Sequence, residues 1–307
     1  MTRLLDSLEK YLQVRRAYGF RTEGDEARLR NFVAFMETNR ADVVTAKLAI
    51  EWATSAASQA TWTGRLSPVR SFAKHLANFE PRTEIPPTGV FPQYRRPRPY
   101  IYSEAEIEAL LDGMMSLPPA TGLRRWTYHC CIGLLAVTGL RLGEAIRLRR
   151  SDVDLDEGVL TIRQTKFGKS RFVPVHPTTV SVLKAYAERR DASRERRQGE
   201  FFLVGEHGRH LHKQNVELVV IKCLRRMDLR GSAGTKGPRI HDLRHTYAVR
   251  TLVRWYRAGG DVERLLPVLS TYLGHTHTRD TYWYLTACPE LMGHAVDRLE
   301  SRWEVAQ

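Results

Sequence analysis

Six residues in this chain of 307 could together break a phosphodiester: Arg141, Lys166, His241, Arg244, His275 and Tyr284. They occur in that order, in the contexts Thr138-Gly139-Leu140-Arg141-Leu142-Gly143-Glu144, Thr165-Lys166-Phe167-Gly168-Lys169-Ser170-Arg171, His241-Asp242-Leu243-Arg244-His245-Thr246 and Leu273-Gly274-His275, with Tyr284 nine residues beyond that last histidine. Cleaving DNA without metal or water needs a nucleophile, cations around the non-bridging oxygens and an acid for the departing 5′ hydroxyl. A tyrosine phenol, with an unperturbed pKa of about 10, is a weak nucleophile at neutral pH unless a base or nearby cations help remove its proton. His241 and Arg244 lie three positions apart on a predicted helix, so both side chains fall on one face and can aim at one phosphate. Arginine suits that place because its planar fork can bond two phosphate oxygens at once.

The same residues admit plainer readings. Arg141 could cap a helix carboxyl end, and Lys169, on the same turn as Lys166, could take that lysine's place. His241 and His245, four apart on a helix, could bind zinc with Asp242, His275 and His277. Arg244 would then point a positive charge at a cation, and no HExxH glutamate accompanies the pair. Tyr282 competes with Tyr284, or serves as a core or phosphate-contacting aromatic. Glu144 and Asp242 are placed to orient neighbouring Arg or His side chains; a carboxylate beside a phosphate would repel it.

The elements that must position these residues are mostly helical. Leu4, Leu5, Leu8, Tyr11 and Leu12 recur at helical spacing, and residues 1 to about 80 fit four helices. The second ends near Asn39 and the third starts with Thr45 as N-cap. The fourth runs from about Ser58 to Phe79, with a kink or break expected at Pro68. It interleaves Trp62, Leu66, Val69, Phe72 and Leu76 with Arg65, Arg70 and Lys74, so a basic stripe that is either a solvated face or a phosphate contact runs beside an apolar one. From Pro81 to Pro99 six prolines fall within nineteen residues and the basic cluster Arg95, Arg96 and Arg98 closes the stretch, which predicts a semi-rigid cationic linker able to lie along a DNA backbone. Ser103 with Glu106 forms a capping box that announces a new domain. Tyr128 to Leu140 predicts a buried helix stopped near Gly139. Val159 to Gln164 and Arg171 to Val175 flank a glycine-containing turn and predict a hairpin. Helical signals return from about Thr178, from Lys213 and from His241 onward. Arg189 to Gln198, with five arginines, predicts a solvated helix end.

Composition narrows the partner. Lys and Arg outnumber Asp and Glu by 48 to 34, a formal charge of +14, which favours a polyanion over an acidic small molecule. No apolar run approaches the roughly 20 residues needed to span a bilayer, and the amino terminus shows no signal-peptide pattern. Four cysteines without a CxxC pair, two of them adjacent at Cys130 and Cys131, predict reduced and mostly buried thiols and a cytoplasmic location.

In its four motifs the chain resembles the tyrosine recombinase, or phage integrase, family, with the second half matching more specifically than the helical front. The resemblance implies a mainly α fold with a small β-sheet: an N-terminal helical core-binding (SAM-like) domain over 1–84, a linker over 85–99, and a tyrosine-recombinase catalytic domain with a C-terminal tail helix over 100–307. It implies that Arg141 is the first catalytic arginine, that Lys166 is the hairpin lysine acting as general acid to the leaving 5′ oxygen, and that His241 and Arg244 form the His-x-x-Arg box. It likewise implies that His275 is the last basic position, and that Tyr284, at the family's spacing, forms a 3′-phosphotyrosyl link. Arg65, Arg70, Lys74, Arg95, Arg96, Arg98 and Lys169 are the expected DNA contacts. No cofactor or metal is implied; the implied partner is double-stranded DNA with specific recombination sites, bound by a homotetramer coupled through its tails. Between Arg250 and Gly274 the path is longer than in compact Xer-type members, which predicts an altered helix or loop and favours a mobile-element source over the chromosome-dimer enzyme. Three rivals stay open: a type IB-like topoisomerase, a non-cutting DNA-binding regulator and a metal nuclease.

Overall fold

The computed structural model describes residues 3–20, 22–92, 98–163, 170–193, 199–205, 208–232, 237–287, 291–293 and 296. Chain contacts divide it into two units, Met1–Pro97 and Arg98–Gln307.

The first unit holds four helices, α1 (Arg3–Ala17), α2 (Glu23–Thr38), α3 (Ala46–Thr54) and α4 (Gln59–Leu76). Their apolar stripes bury Leu8, Leu12, Leu29, Phe32, Met36, Trp52, Leu66 and Phe72 in one core. The Trp52 indole meets Phe32 edge-on at 5.2 Å and donates its N–H to Asn31 Oδ1 at 2.9 Å, so the buried polar atom is satisfied. Thr45 caps α3, its Oγ1 accepting from Leu48 N. Helix α4 is not broken at Pro68: it runs through that residue as one element, because Pro68 is buried and packing there outweighs the lost backbone donor.

In the second unit α5 (Glu104–Met115) begins with the predicted capping box: Glu106 N donates to Ser103 Oγ at 3.1 Å and Ser103 N to Glu106 Oε2 at 2.7 Å. The central helix α6 (Leu123–Thr138) buries Cys130, Cys131, Ile132, Leu134 and Leu135, and burial pushes both thiols well above the ordinary range. After the single turn α7 (Leu142–Ala145), strands β1 (Val153–Asp154), β2 (Val159–Ile162) and β3 (Arg171–Pro174) form a three-stranded antiparallel sheet in sequence order, Leu160 facing Val173. Helices α8 (Pro177–Ala192) and α9 (Lys213–Arg226) complete the main core. Arg190, expected to be solvated, is instead buried near the end of α8, donating Nη1 to Phe202 O at 3.0 Å.

A third cluster joins α10 (Asp242–Arg257), α11 (Val262–Leu273) and α12 (Arg279–Ala287) through Leu252, Leu266, Leu269, Leu273, Tyr284 and Leu291. The long path between Arg250 and Gly274 is helix: Trp255 to Arg257 end α10, and Leu265 to Ser270 lie within α11, capped at its start by Asp261. The fold is therefore mainly helical with a small sheet, and no described helix is long and apolar enough to cross a membrane.

Candidate active site

Two helix ends meet at the site. Helix α6 stops at Gly139 (φ 63°) and α11 at Gly274 (φ 69°), both in the left-handed region that glycine enters without strain. At Gly139 a Cβ would also lie 2.6 Å from Tyr247 Cδ1, so the sharp stop and the close packing both require glycine. Helix ends leave carbonyls without intrahelical partners and concentrate partial negative charge. Arg244, in the first turn of α10 and only 2% exposed, takes up two such carbonyls, Nη1 donating to Gly139 O at 2.7 Å and Nη2 to Leu273 O at 2.8 Å. Arg141, the N-cap of α7, donates Nη2 to Gly274 O at 3.2 Å. Burial, and next the charge of Arg141, pull Arg244 down to about 10, which leaves it fully charged at neutral pH.

Arg141 is held in turn by Glu144. That carboxylate accepts Arg141 Nη1 at 2.9 Å and the Arg141 backbone N–H at 3.0 Å, and it is forked by Arg171 through Nη1 at 3.2 Å and Nη2 at 2.9 Å. Burial alone would raise the Glu144 pKa; the bond and charge of Arg171, then Arg141, more than offset it and hold it at about 2. Arg171 Nε donates to Tyr272 O at 2.7 Å, so one guanidinium ties β3, α7 and α11 together.

Tyr284 on α12 reaches this cluster from the third core. It is 2% exposed; burial raises its pKa, while the charge of Arg244 and then that of Arg141 act to lower it. Tyr284 Oη lies 3.3 Å from His245 Nδ1. His275 stacks on the Tyr284 ring at 6.0 Å, and its Nδ1 lies 2.7 Å from Thr281 Oγ1. Burial first, then the charge of Arg244, takes His275 down to about 4; burial and His241 take His245 down to about 3. His241, whose ring meets that of His245 edge-on at 4.8 Å while the residue stays exposed, is also held below the ordinary range, by desolvation and then by Arg244.

Arg141, His241, Arg244, His275 and Tyr284 are thus gathered in one place. His241 stands as N-cap of α10, so it and Arg244 share a side but differ in depth. Tyr282, one of the two candidate nucleophiles, is 50% exposed. Asp242 orients a neighbour as expected, accepting Arg239 N at 2.8 Å and Arg239 Nη2 at 3.1 Å. Lys166, Lys169, Arg95 and Arg96 lie outside the described residues. Among the described residues no group of three His, Cys, Asp or Glu is arranged to hold a metal ion.

In the basic stripe of α4, Arg65 donates to Trp52 O at 2.9 Å and lies 4.2 Å over the Trp52 ring, and Arg70 donates to Pro86 O and Pro87 O at 2.7 Å each. Lys74 and Arg98 are exposed. The sequence reading missed two participants, Arg171 and His245. Strand alternation could have exposed Arg171, because it shares a sheet face with buried Val173 and a charge on such a face demands a partner.

The phage integrase family profile matches residues 102–290. The chain is 45% identical, over 99% of both chains, to a Sinorhizobium fredii protein named as integrase/recombinase y4rB. It is 30% identical to tyrosine recombinase XerD of Caulobacter vibrioides, over 78% of this chain and 74% of that one. Among solved structures, the Tn1549 transposon integrase in complex with transposon right-end DNA shares the fold, with a TM-score of 0.68 at 16% identity, over 98% of this chain and 99% of that one. This chain belongs to the phage integrase family and is a tyrosine recombinase.

Proposed function

We propose that this recombinase, working for a mobile element, cuts and rejoins specific DNA sites through a 3′-phosphotyrosyl intermediate on Tyr284. The observation that carries this is the Tyr284 hydroxyl, buried beside Arg244, which bonds to the ends of both α6 and α11, with Arg141 held on Gly274 O at the end of α11. Arg141 and Arg244 fork the non-bridging oxygens of the scissile phosphate and stabilise the charge that grows there in the transition state. His275 and His241, both neutral at pH 7, add N–H donors; the bond at Thr281 fixes the His275 ring and leaves its other nitrogen for the phosphate. Tyr284 Oη bonds to phosphorus, the P–O5′ bond breaks, and Lys166 protonates the departing oxygen. Attack by another strand's 5′ hydroxyl reverses these steps.

Lys74 and Arg98 contribute backbone contacts, with Arg95, Arg96 and Lys169. Arg65 and Arg70, whose donors go largely to carbonyls of their own unit, shape the surface that carries Lys74. Four protomers assemble on two duplexes through their tails, where Met292 and Val296 are exposed apolar positions.

The test is to denature cells expressing the tagged protein, capture it, sequence any attached DNA and map the modified residue. DNA on Tyr284 is expected. Attachment at Tyr282 would move the nucleophile, and specific sequences recovered only by native capture would favour a non-cutting regulator. Relaxation of supercoiled DNA by monomer would favour the topoisomerase.

A further inference from the structure

The geometry points to His245 as the proton acceptor for Tyr284, a catalytic residue lying next to the His-x-x-Arg pair. This rests on Tyr284 being the nucleophile. The charge of the Arg244 guanidinium beside Tyr284 favours the phenolate, so the phenolic proton needs an acceptor. His245 Nδ1, 3.3 Å away, is placed to take it. His275 is poorly placed for this: it faces the phenol ring rather than the hydroxyl, and its Nδ1 is engaged by Thr281.

The surroundings fix His245 for that work. Its ring is wedged between His241, edge-on at 4.8 Å, and Trp283 at 5.3 Å. On its far side Nε2 lies 4.0 Å from Oδ1 of Asp242, which is almost fully buried. A carboxylate there favours the tautomer protonated on Nε2, which leaves the Nδ1 lone pair free, and it stabilises the imidazolium once formed. The line Asp242, His245, Tyr284 has the order of orienting acid, base and nucleophile. Burial keeps the free imidazole neutral, as an acceptor must be, and the negative phosphate entering the pocket raises its basicity at the moment of reaction.

The step balances. The Tyr284 O–H proton passes to His245 Nδ1 as the Oη–P bond forms and the P–O5′ bond breaks, and O5′ takes its proton from Lys166. His245 keeps the added proton through the covalent intermediate. It returns that proton to Oη when the incoming 5′ hydroxyl reseals the strand and the phenol departs.

The test uses the full chain and duplexes carrying the site recovered by covalent capture, nicked so that the cleaved fragment escapes. Covalent complex formation is timed at saturating enzyme for wild type, His245→Ala and His245→Asn, with DNA affinity and thermal melting measured in parallel. His245→Ala should slow attachment by about 100- to 10,000-fold at nearly unchanged affinity. Added imidazole should restore part of that rate. His245→Asn, which fits the same space and keeps a hydrogen-bond acceptor but cannot carry a proton, should stay as slow. The defect should persist on a substrate with sulfur at the 5′ bridging position, whose leaving group needs no acid. An Asn variant as fast as wild type, or full recovery on the sulfur substrate, would overturn the assignment. Wild type that binds but never attaches DNA at Tyr284 would overturn the nucleophile, and His245 with it.

Discussion

Arg244→Lys separates what Arg244 does for the fold from what it does for the phosphate. The arginine uses one nitrogen on Gly139 O and the other on Leu273 O, at 2.7 and 2.8 Å, and its charge still acts on Tyr284. Lysine keeps the charge but offers a single nitrogen, so one buried carbonyl loses its donor. A hydrogen bond involving a charged group contributes about 1.5–3 kcal/mol, so Arg244→Lys should lower unfolding stability by that amount. Arg244→Ala removes both bonds, costing about 3–6 kcal/mol against a typical total of about 5–15 kcal/mol, which makes the lysine variant the better one for the activity assay. The lysine variant should remain folded yet attach DNA about 100- to 1000-fold more slowly, because the bidentate grip on the phosphate is gone. Urea unfolding followed by tryptophan fluorescence gives the first quantity, and single-turnover attachment with parallel gel-shift affinity gives the second. Attachment within tenfold of wild type would refute the fork argument. An unchanged unfolding midpoint in Arg244→Ala would refute the claim that Arg244 supports both helix ends.

Arg171→Ala leaves the buried Glu144 carboxylate with Arg141 alone and should cost about 3–5 kcal/mol in urea unfolding, whereas replacing both partners with apolar side chains should cost less. Tyr282→Phe, at a half-exposed position, should leave stability within about 0.5 kcal/mol and attachment unchanged, while Tyr284→Phe should abolish attachment and spare binding. His245 and His275 titrate near 3 and 4 in the folded chain against 6.5 in the unfolded one, so below about pH 6.5 the unfolded chain binds protons that the folded one refuses. Stability should therefore fall on acidification, by at most about 2 kcal/mol per histidine at pH 5, at about 1.36 kcal/mol per pH unit. Urea midpoints at pH 7 and pH 5 check the sign, and a midpoint that rises on acidification would refute it.

The candidate site was legible in the sequence where its residues sit at element boundaries. Thr-Gly-Leu-Arg and Leu-Gly-His are helix stops before they are anything else: each places a left-handed glycine at a helix end and a basic residue one or two positions beyond it. Such stops are local, so motif and spacing report them directly. Alternation in Val159 to Ile162 and Arg171 to Pro174 likewise announces the two paired strands. What stayed hidden depends on partners far along the chain. Arg171 meets Glu144 across 27 residues and Tyr272 across 101. Arg65 and Arg70 looked like a surface stripe, yet carbonyls 13 to 17 residues away take their donors. Periodicity reports which face of a helix is apolar, not which cation that face has already committed. His245 was hidden for a related reason, since its four-residue spacing from His241 drew attention to metal binding while its actual neighbour is a tyrosine 39 residues on.

The placement of the arginines also explains how a cationic pocket persists without phosphate. Arg141, Arg171 and Arg244 stand within a small volume against one buried carboxylate, Glu144. Three guanidiniums against one carboxylate would repel one another strongly in a dry interior. The carbonyls at the ends of α6 and α11 offset part of that repulsion, Gly139 O and Leu273 O accepting from Arg244 and Gly274 O from Arg141. Because these acceptors are backbone groups fixed by glycine stops, they need not rearrange when DNA binds. The remaining positive charge is therefore set in place before the phosphate arrives, which is the condition for stabilising the transition state without paying for reorganisation during the reaction.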